Sequence, residues 1–269
     1  MTRTLKIYQA DAFTSRLFGG NPAAIVPLTD WLPDDTMQAI AAENNLAETA
    51  FIVPTDGEKS DFHIRWFTPA IEVRLCGHAT LAAAHILYEH LAYQKEGVRF
   101  DSLSGVLSVS KKEKIYTLDF PTDILRGVSL DSPEAETIRK GLNINPLEIL
   151  RGSDDFMAVV SCEADVQALS PDFSILKTLN SRGLIVTAKG DSVDFVSRCF
   201  FPQSGIDEDP VTGSAHTALI PYWAEKLGKP KLIARQISSR IGELTCHLKG
   251  DRVEISGEAV TYLVGDIFI

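Results

Sequence analysis

Two similar α+β halves, each made of several strands around one apolar helix, are what this sequence predicts. Two observations carry the prediction. The stretch Trp66-Phe67-Thr68-Pro69 runs through Leu75-Cys76-Gly77-His78 into an almost wholly apolar segment that keeps helical character to His90. The same order of features returns half a chain later. Cys199-Phe200-Phe201-Pro202 leads through Asp207-Glu208-Asp209-Pro210-Val211-Thr212 into Gly213-Ser214-Ala215-His216 and another helical run. A length of 269 residues agrees with two units, at roughly 150 residues each as a prior.

Taken in order, Leu5 to Ala12 alternates apolar and polar residues as a half-buried strand does, and Ala23 to Val26 follows as a second strand. Between them, Phe18-Gly19-Gly20-Asn21-Pro22 has the paired glycines and Asn-Pro step of a tight turn. Its Asn21 amide serves either that turn or a ligand. Pro33-Asp34-Asp35 opens a helix, because proline suits the first turn and carboxylates suit the positive end of the helix dipole. That helix frays at Glu43-Asn44-Asn45, and Leu46 to Thr49 connects to a strand over Ala50 to Pro54.

Phe62 to Phe67 and a short Val73 to Leu75 continue the sheet. The helix from Gly77 to His90 is apolar on most sides, which calls for burial inside a curved sheet. Leu103 to Val109 and Ile115 to Phe120 form a hairpin with a charged tip at Lys111 to Lys114. Pro121-Thr122-Asp123 ends the first half, giving domains 1–121 and 122–269, with the last strand able to return to the first. A helix capped by Asp131 or Ser132 opens the second half. Strands follow at Phe156 to Ser161, Leu184 to Ala188 and Val193 to Phe200, with helical pieces around Val166 and Ile175. After the helix at Gly213 come β segments at Lys231 to Ser238, Glu243 to Leu248, Arg252 to Ile255 and Thr261 to Ile269.

Composition narrows the function. A net charge of −10 and no basic cluster longer than Lys111-Lys112-Glu113-Lys114 disfavour a nucleic-acid partner. No apolar run approaches the ~18 residues of a membrane helix, and Met1 runs straight into a strand without a signal core, so the expected location is the cytoplasm. The four cysteines, Cys76, Cys162, Cys199 and Cys246, lack the spacing of a zinc knuckle or redox pair.

Both central helices open on small residues, Gly77-His78-Ala79 and Gly213-Ser214-Ala215, and free N–H groups at such starts bind anions. A carboxylate held between two such ends is one reading; close packing of helix on strand is the other. Glu48 lies on a polar connector beside an apolar strand, where partial burial suits a carboxyl group that both takes and gives a proton. Taken alone it also reads as a solvated side chain, His78 as a cap and Asp209 as a turn residue before proline. The acidic run Asp207 to Asp209 lacks matching His or Asp ligands for a metal.

Five motifs in this order and spacing resemble the PhzF family of phenazine-biosynthesis isomerases. They are Phe18 to Pro22, Asn45-Leu46-Ala47-Glu48-Thr49, Trp66 to Pro69, Leu75 to Thr80, and Asp209 to His216. The resemblance spans essentially the whole chain. It implies the diaminopimelate epimerase-like fold, with two pseudo-symmetric domains that each wrap a β-barrel around a central helix, an active site in the cleft between them, and a homodimer. It implies chemistry of the trans-2,3-dihydro-3-hydroxyanthranilate isomerase type, in which a proton moves between two carbons without cofactor or metal.

On that resemblance Glu48 is the general acid/base, and His78 and Asp209 hold and polarise a small carboxylate substrate, cyclic or open-chain. Gly77, Gly213 and Ser214 contact its carboxylate, and Asn21 lies at the site. Ala47 stands where a Ser is common. Related epimerases and racemases use two opposed cysteines; Cys76 matches the first, and the second falls near Asp209-Pro210, where no Cys exists. Two alternatives stay open: an amino-acid epimerase or racemase using Cys76, and a non-catalytic metabolite- or partner-binding protein on the same scaffold.

Overall fold

The computed structural model describes residues 3–269. The chain forms two compact units, one running up to Phe120 and taking in Ile255–Ile269, the other Pro121–Glu254. The closing segment therefore belongs to the first unit.

In the first unit the elements are β1 (Thr4–Ala12), β2 (Asn21–Pro27), α1 (Asp34–Asn44), β3 (Glu48–Pro54), β4 (Phe62–Phe67), β5 (Glu72–Val73) and α2 (Gly77–His90). They are followed by β6 (Gly97–Ser102), β7 (Gly105–Lys112) and β8 (Ile115–Pro121). β1 pairs antiparallel with β2, β2 parallel with β3, and β3 antiparallel with β4. β4 then pairs with β5 and, in parallel, with β6, which continues antiparallel to β7 and β8. Every residue of α2 from Gly77 to Leu87 is buried, and the helix packs over β1, β2 and β3. An Ala-rich helix suits this place because Leu81, Ile86 and Leu87 fill the sheet's inner face while Ala82, Ala83 and Ala84 let strands approach closely. Each of the three larger side chains contributes about 2 kcal/mol by leaving water.

The second unit holds β9 (Arg126–Val128), α3 (Pro133–Leu142), β10 (Glu148–Arg151), β11 (Asp155–Val159), α4 (Glu163–Gln167) and α5 (Phe173–Leu176). Next come β12 (Gly183–Lys189), β13 (Phe195–Phe201), β14 (Ile206–Asp209), α6 (His216–Leu227), β15 (Lys231–Gln236) and β16 (Gly242–Lys249). The ladder runs β9, β10, β11, β12, β13, and β13 is flanked by both β14 and β15. Of the two caps considered for α3, Ser132 serves: its Oγ accepts the Ala135 N–H at 3.1 Å. β17 (Arg252–Gly257) leads to β18 (Ala259–Phe268), which forms a long antiparallel ladder with β1.

The α+β architecture is the expected one, and the helix over Gly77–His90 begins and ends where the sequence places it. Four strands escaped the sequence reading: β6, the three-residue β9, β10 and β14. β6 carries a clear inward pair, Val98 and Phe100, but it begins within a polar Lys95-Glu96-Gly97 stretch that reads as loop. β10 and β14 are four residues each, too short for alternation to stand out. The helix expected at Gly213 starts at His216 instead. Residues 213–215 form a tighter turn, in which the N–H groups of His216, Thr217 and Ala218 each donate three residues back.

Candidate active site

The first unit brings four of the expected residues together. Asn21 opens β2 and is wholly buried. The parallel register sets Glu48, the first residue of β3, beside Ala23, two residues along β2 from Asn21. The local sequence explains this entry. Asn45 takes the left-handed conformation that ends α1 (φ 49°), and the Asn44 side-chain amide donates to Thr49 Oγ1 at 3.0 Å, which ties the helix end to the strand start. Glu48 is carried between those two fixed points.

Cys76 and His78 arrive from the start of α2. Cys76 is the extended residue before the helix, and its carbonyl accepts both the Thr80 N–H and the Thr80 hydroxyl. His78 Nε2 lies 3.1 Å from Glu48 Oε2, and Asn21 Nδ2 lies 3.1 Å from His78 Nδ1. Cys76 Sγ is 3.6 Å from the same Nδ1.

Glu48 Oε2 and His78 Nε2 thus form a close buried pair, and neither atom has a further hydrogen-bond partner among the described residues. The Glu48 side chain is 13% exposed against 4% for His78, so the carboxylate is the member with an opening to solvent.

The electrostatics separate the roles. Burial, followed by the Glu48 charge, pushes the Cys76 thiol up to about 11. It is a neutral thiol near pH 7. Burial alone opposes charge on His78, but Cys76 and Glu48 outweigh it and hold the imidazole above its ordinary range. Since the thiol is uncharged near neutrality, the charge that His78 meets there is Glu48's. Ligand atoms of Glu48, Cys76 and His78 lie within 4.8 Å of one another, near enough to share an ion.

In the second unit Asp209 ends β14 and is buried. Its Oδ2 accepts the Thr212 hydroxyl at 2.5 Å. Gln236, at the end of β15, donates to the Asp209 carbonyl at 2.7 Å and accepts the Thr212 N–H at 2.8 Å. Gly213 and Ser214 follow in the turn before α6, where His216 Nδ1 meets the Thr212 carbonyl at 2.8 Å. Gln236 and Thr212 thus brace the segment that carries Asp209, and the sequence reading passed over both. A signal existed for Gln236. β15 alternates with Leu232, Ala234 and Gln236 inward, so an amide stands at a core position of that strand.

Two buried histidines set an acid limit. Burial brings His85 down to about 4, and likewise His216, against a weaker opposing pull from the Thr212 carbonyl. With the folded pKa below the unfolded ~6.5, the unfolded chain binds more protons between pH 6.5 and 4, so stability is lost as pH falls through that window. The ceiling is about 3 kcal/mol per histidine. His78, raised instead, contributes in the opposite sense: its share is full below ~6.5 and fades above. Thermal unfolding is expected to show a Tm that falls from pH 6.5 to pH 5, with a shallower slope in His216→Gln. A flat Tm across that range would contradict the assignment.

Comparisons with known proteins place the chain in an isomerase family. Two uncharacterised isomerases of Pseudomonas aeruginosa are each 48% identical over 98% of this chain and 98–99% of their own. A human phenazine biosynthesis-like domain-containing protein is 41% identical over 98% of this chain and 99% of its own. A solved PhzF-family structure from Enterococcus faecalis superposes with a TM-score of 0.93 at 46% identity, over 99% of this chain and all of that one. More distantly, a hydroxyproline epimerase from Agrobacterium vitis shares the fold, with a TM-score of 0.63 at 11% identity. The model of the PhzC-PhzF family, described as phenazine biosynthesis-like protein, matches residues 10–265, and the chain belongs to that family.

Proposed function

We propose that the protein is an isomerase that moves a proton within a small carboxylate substrate, with Glu48 as the group that takes the proton and returns it. The observation that carries this reading is the buried pair of Glu48 Oε2 and His78 Nε2, 3.1 Å apart, with no further hydrogen-bond partner on either atom among the described residues. The ionised Glu48 carboxylate accepts a proton from a substrate carbon, and the electron pair left behind shifts into the adjoining π system. The same carboxyl group then delivers the proton to a second carbon, so nothing is consumed and no net charge is created. His78 offers an N–H to hold the carboxylate or to polarise the substrate. The N–H groups at the start of α2, from Gly77, suit a substrate carboxylate.

Asp209, Gly213 and Ser214 are assigned to holding the substrate, an assignment supported by the family motif Asp209 to His216. The test is to incubate the enzyme in deuterated water with a panel of small cyclic and unsaturated carboxylates. One of them is expected to gain carbon-bound deuterium together with an isomeric product. Deuterium-free recovery of every member in the presence of folded enzyme would count against the reading. A Cys76-based epimerase is the weaker alternative, since a thiol held near 11 is a poor base at neutral pH.

The homodimer belongs to the same proposal. Its support is a row of exposed apolar side chains on β18, namely Tyr262, Val264 and Phe268, the last 71% exposed. Tyr262 also meets exposed Phe18 edge to face, with ring centroids 5.9 Å apart. The double substitution Tyr262→Asp with Val264→Asp is expected to halve the mass seen by sedimentation at micromolar concentration. An unchanged mass would remove this face from the interface. A cytoplasmic location is supported by all four cysteines being free thiols. No helix among the described residues is long and apolar enough to cross a membrane.

A further inference from the structure

Asn21 stands in an unusual position for a residue expected to touch substrate. It is 0% exposed, whereas Glu48 keeps an opening to solvent. Its amide nitrogen is 3.1 Å from His78 Nδ1, the ring nitrogen that faces away from Glu48. An amide N–H is a donor, so when the ring carries a single proton Nδ1 offers its lone pair and that proton sits on Nε2. Nε2 is the atom 3.1 Å from Glu48 Oε2.

The backbone holds Asn21 with some force. It pairs with Ala12 across the β1–β2 ladder and follows Gly20, whose φ of 59° and contact with the Ala12 carbonyl leave no room for a side chain. The groups facing His78 are thus Asn21 from β2, Glu48 from β3 and Cys76 from the helix start, and Asn21 alone of the three does not titrate.

We infer that Asn21 is a positioning residue that acts through His78, fixing the ring so that its Nε2–H always faces the Glu48 carboxylate. The inference rests on the proposed role of Glu48 for its catalytic consequence, though not for its structural content. An amide suits the task because its other end can accept. If His78 gains a second proton, a half-turn of the amide presents the oxygen to Nδ1–H and the ring keeps its place. A hydrophobic side chain would leave Nδ1 only the weak Cys76 sulfur contact, and the ring could then carry its single proton on either nitrogen.

The experiment is 15N NMR of the histidine ring nitrogens in resting protein on the alkaline side of the raised His78 titration, where the ring carries one proton, with His78 assigned by its loss in His78→Gln. The variants are Asn21→Leu and the isosteric Asn21→Asp. In the parent, Nε2 is expected to show the shift of a protonated ring nitrogen. In Asn21→Leu the Nδ1–H tautomer becomes populated, and kcat falls on the order of 10- to 100-fold with KM little changed, as for a misaligned reacting group. In Asn21→Asp, whose carboxylate only accepts, both ring nitrogens become protonated.

If Asn21→Leu does not fold, the Asn21→Asp spectrum decides alone. His78 shifts identical to the parent in whichever variant folds would overturn the inference. Because the spectra are read without substrate, they stand or fall separately from the Glu48 reading, which isotope exchange tests.

Discussion

Glu48→Gln is expected to lower kcat by about 10³-fold or more while leaving the fold intact, since general acid/base groups contribute roughly 10² to 10⁴. The substitution keeps the shape and the hydrogen-bonding reach of the side chain but removes the only carboxylate beside His78. Stability should move little. Glu48 sits at the first position of β3 with part of its side chain in solvent, and the amide oxygen of a Gln can still accept from His78 Nε2–H. The loss should therefore fall on kcat, with the unfolding midpoint within a few degrees of the parent's. A variant that keeps turnover would dismiss Glu48 as the proton carrier; one that loses both turnover and folding would mark it as structural.

Gly20→Ala should be strongly destabilising. Gly20 has a positive φ of 59°, and a Cβ there would collide with the Ala12 carbonyl oxygen and crowd the Thr14 side chain. Backbone cannot step aside as a side chain can, because Ala12 is also tied to β2 and β18. The combined strain is about 3 kcal/mol or more, from a left-handed conformation that alanine resists and an overlap that must displace a strand. The consequence reaches the site through Asn21, the next residue. A lowered midpoint in chemical denaturation together with reduced turnover is the expected pair of results. A variant as stable as the parent would mean that the turn can be rebuilt without moving β2.

These two residues illustrate what could be read from the chain and what could not. The Gly-Gly-Asn-Pro turn was visible as a turn, because paired glycines have few other uses, but its Asn was ambiguous between backbone and ligand. Only the fold shows that the Asn21 amide is spent on a histidine 57 positions later. The helix Gly77–His90 was fully legible, since an apolar segment of that length has one stable place, inside a sheet. The start of α6 was not. Gly213-Ser214-Ala215 has the composition of a helix opening, but a tight turn uses the same small residues, and His216 closes it by meeting the Thr212 carbonyl. Glu48 and His78 were named from motifs, with no local feature to show that they meet. Their contact depends on the parallel β2–β3 register and on α2 lying across it. Neither is written in either motif.

The role of Cys76 was reduced by the same reasoning. Its place before α2 is that of a catalytic thiol in related enzymes, but here it lies 6% exposed beside a carboxylate, which raises it out of useful range. A carboxylate and a thiol side by side cannot both be the base at pH 7, and charge favours Glu48.

The most direct test of the account is the fate of the moving proton. With any carboxylate the parent enzyme isomerises in deuterated water, deuterium incorporation at carbon should be followed in Glu48→Gln and in Cys76→Ala. The account expects incorporation to vanish in Glu48→Gln and to stay within a few-fold of the parent in Cys76→Ala. Incorporation at the parent's rate in Glu48→Gln, or its loss in a well-folded Cys76→Ala, would contradict it.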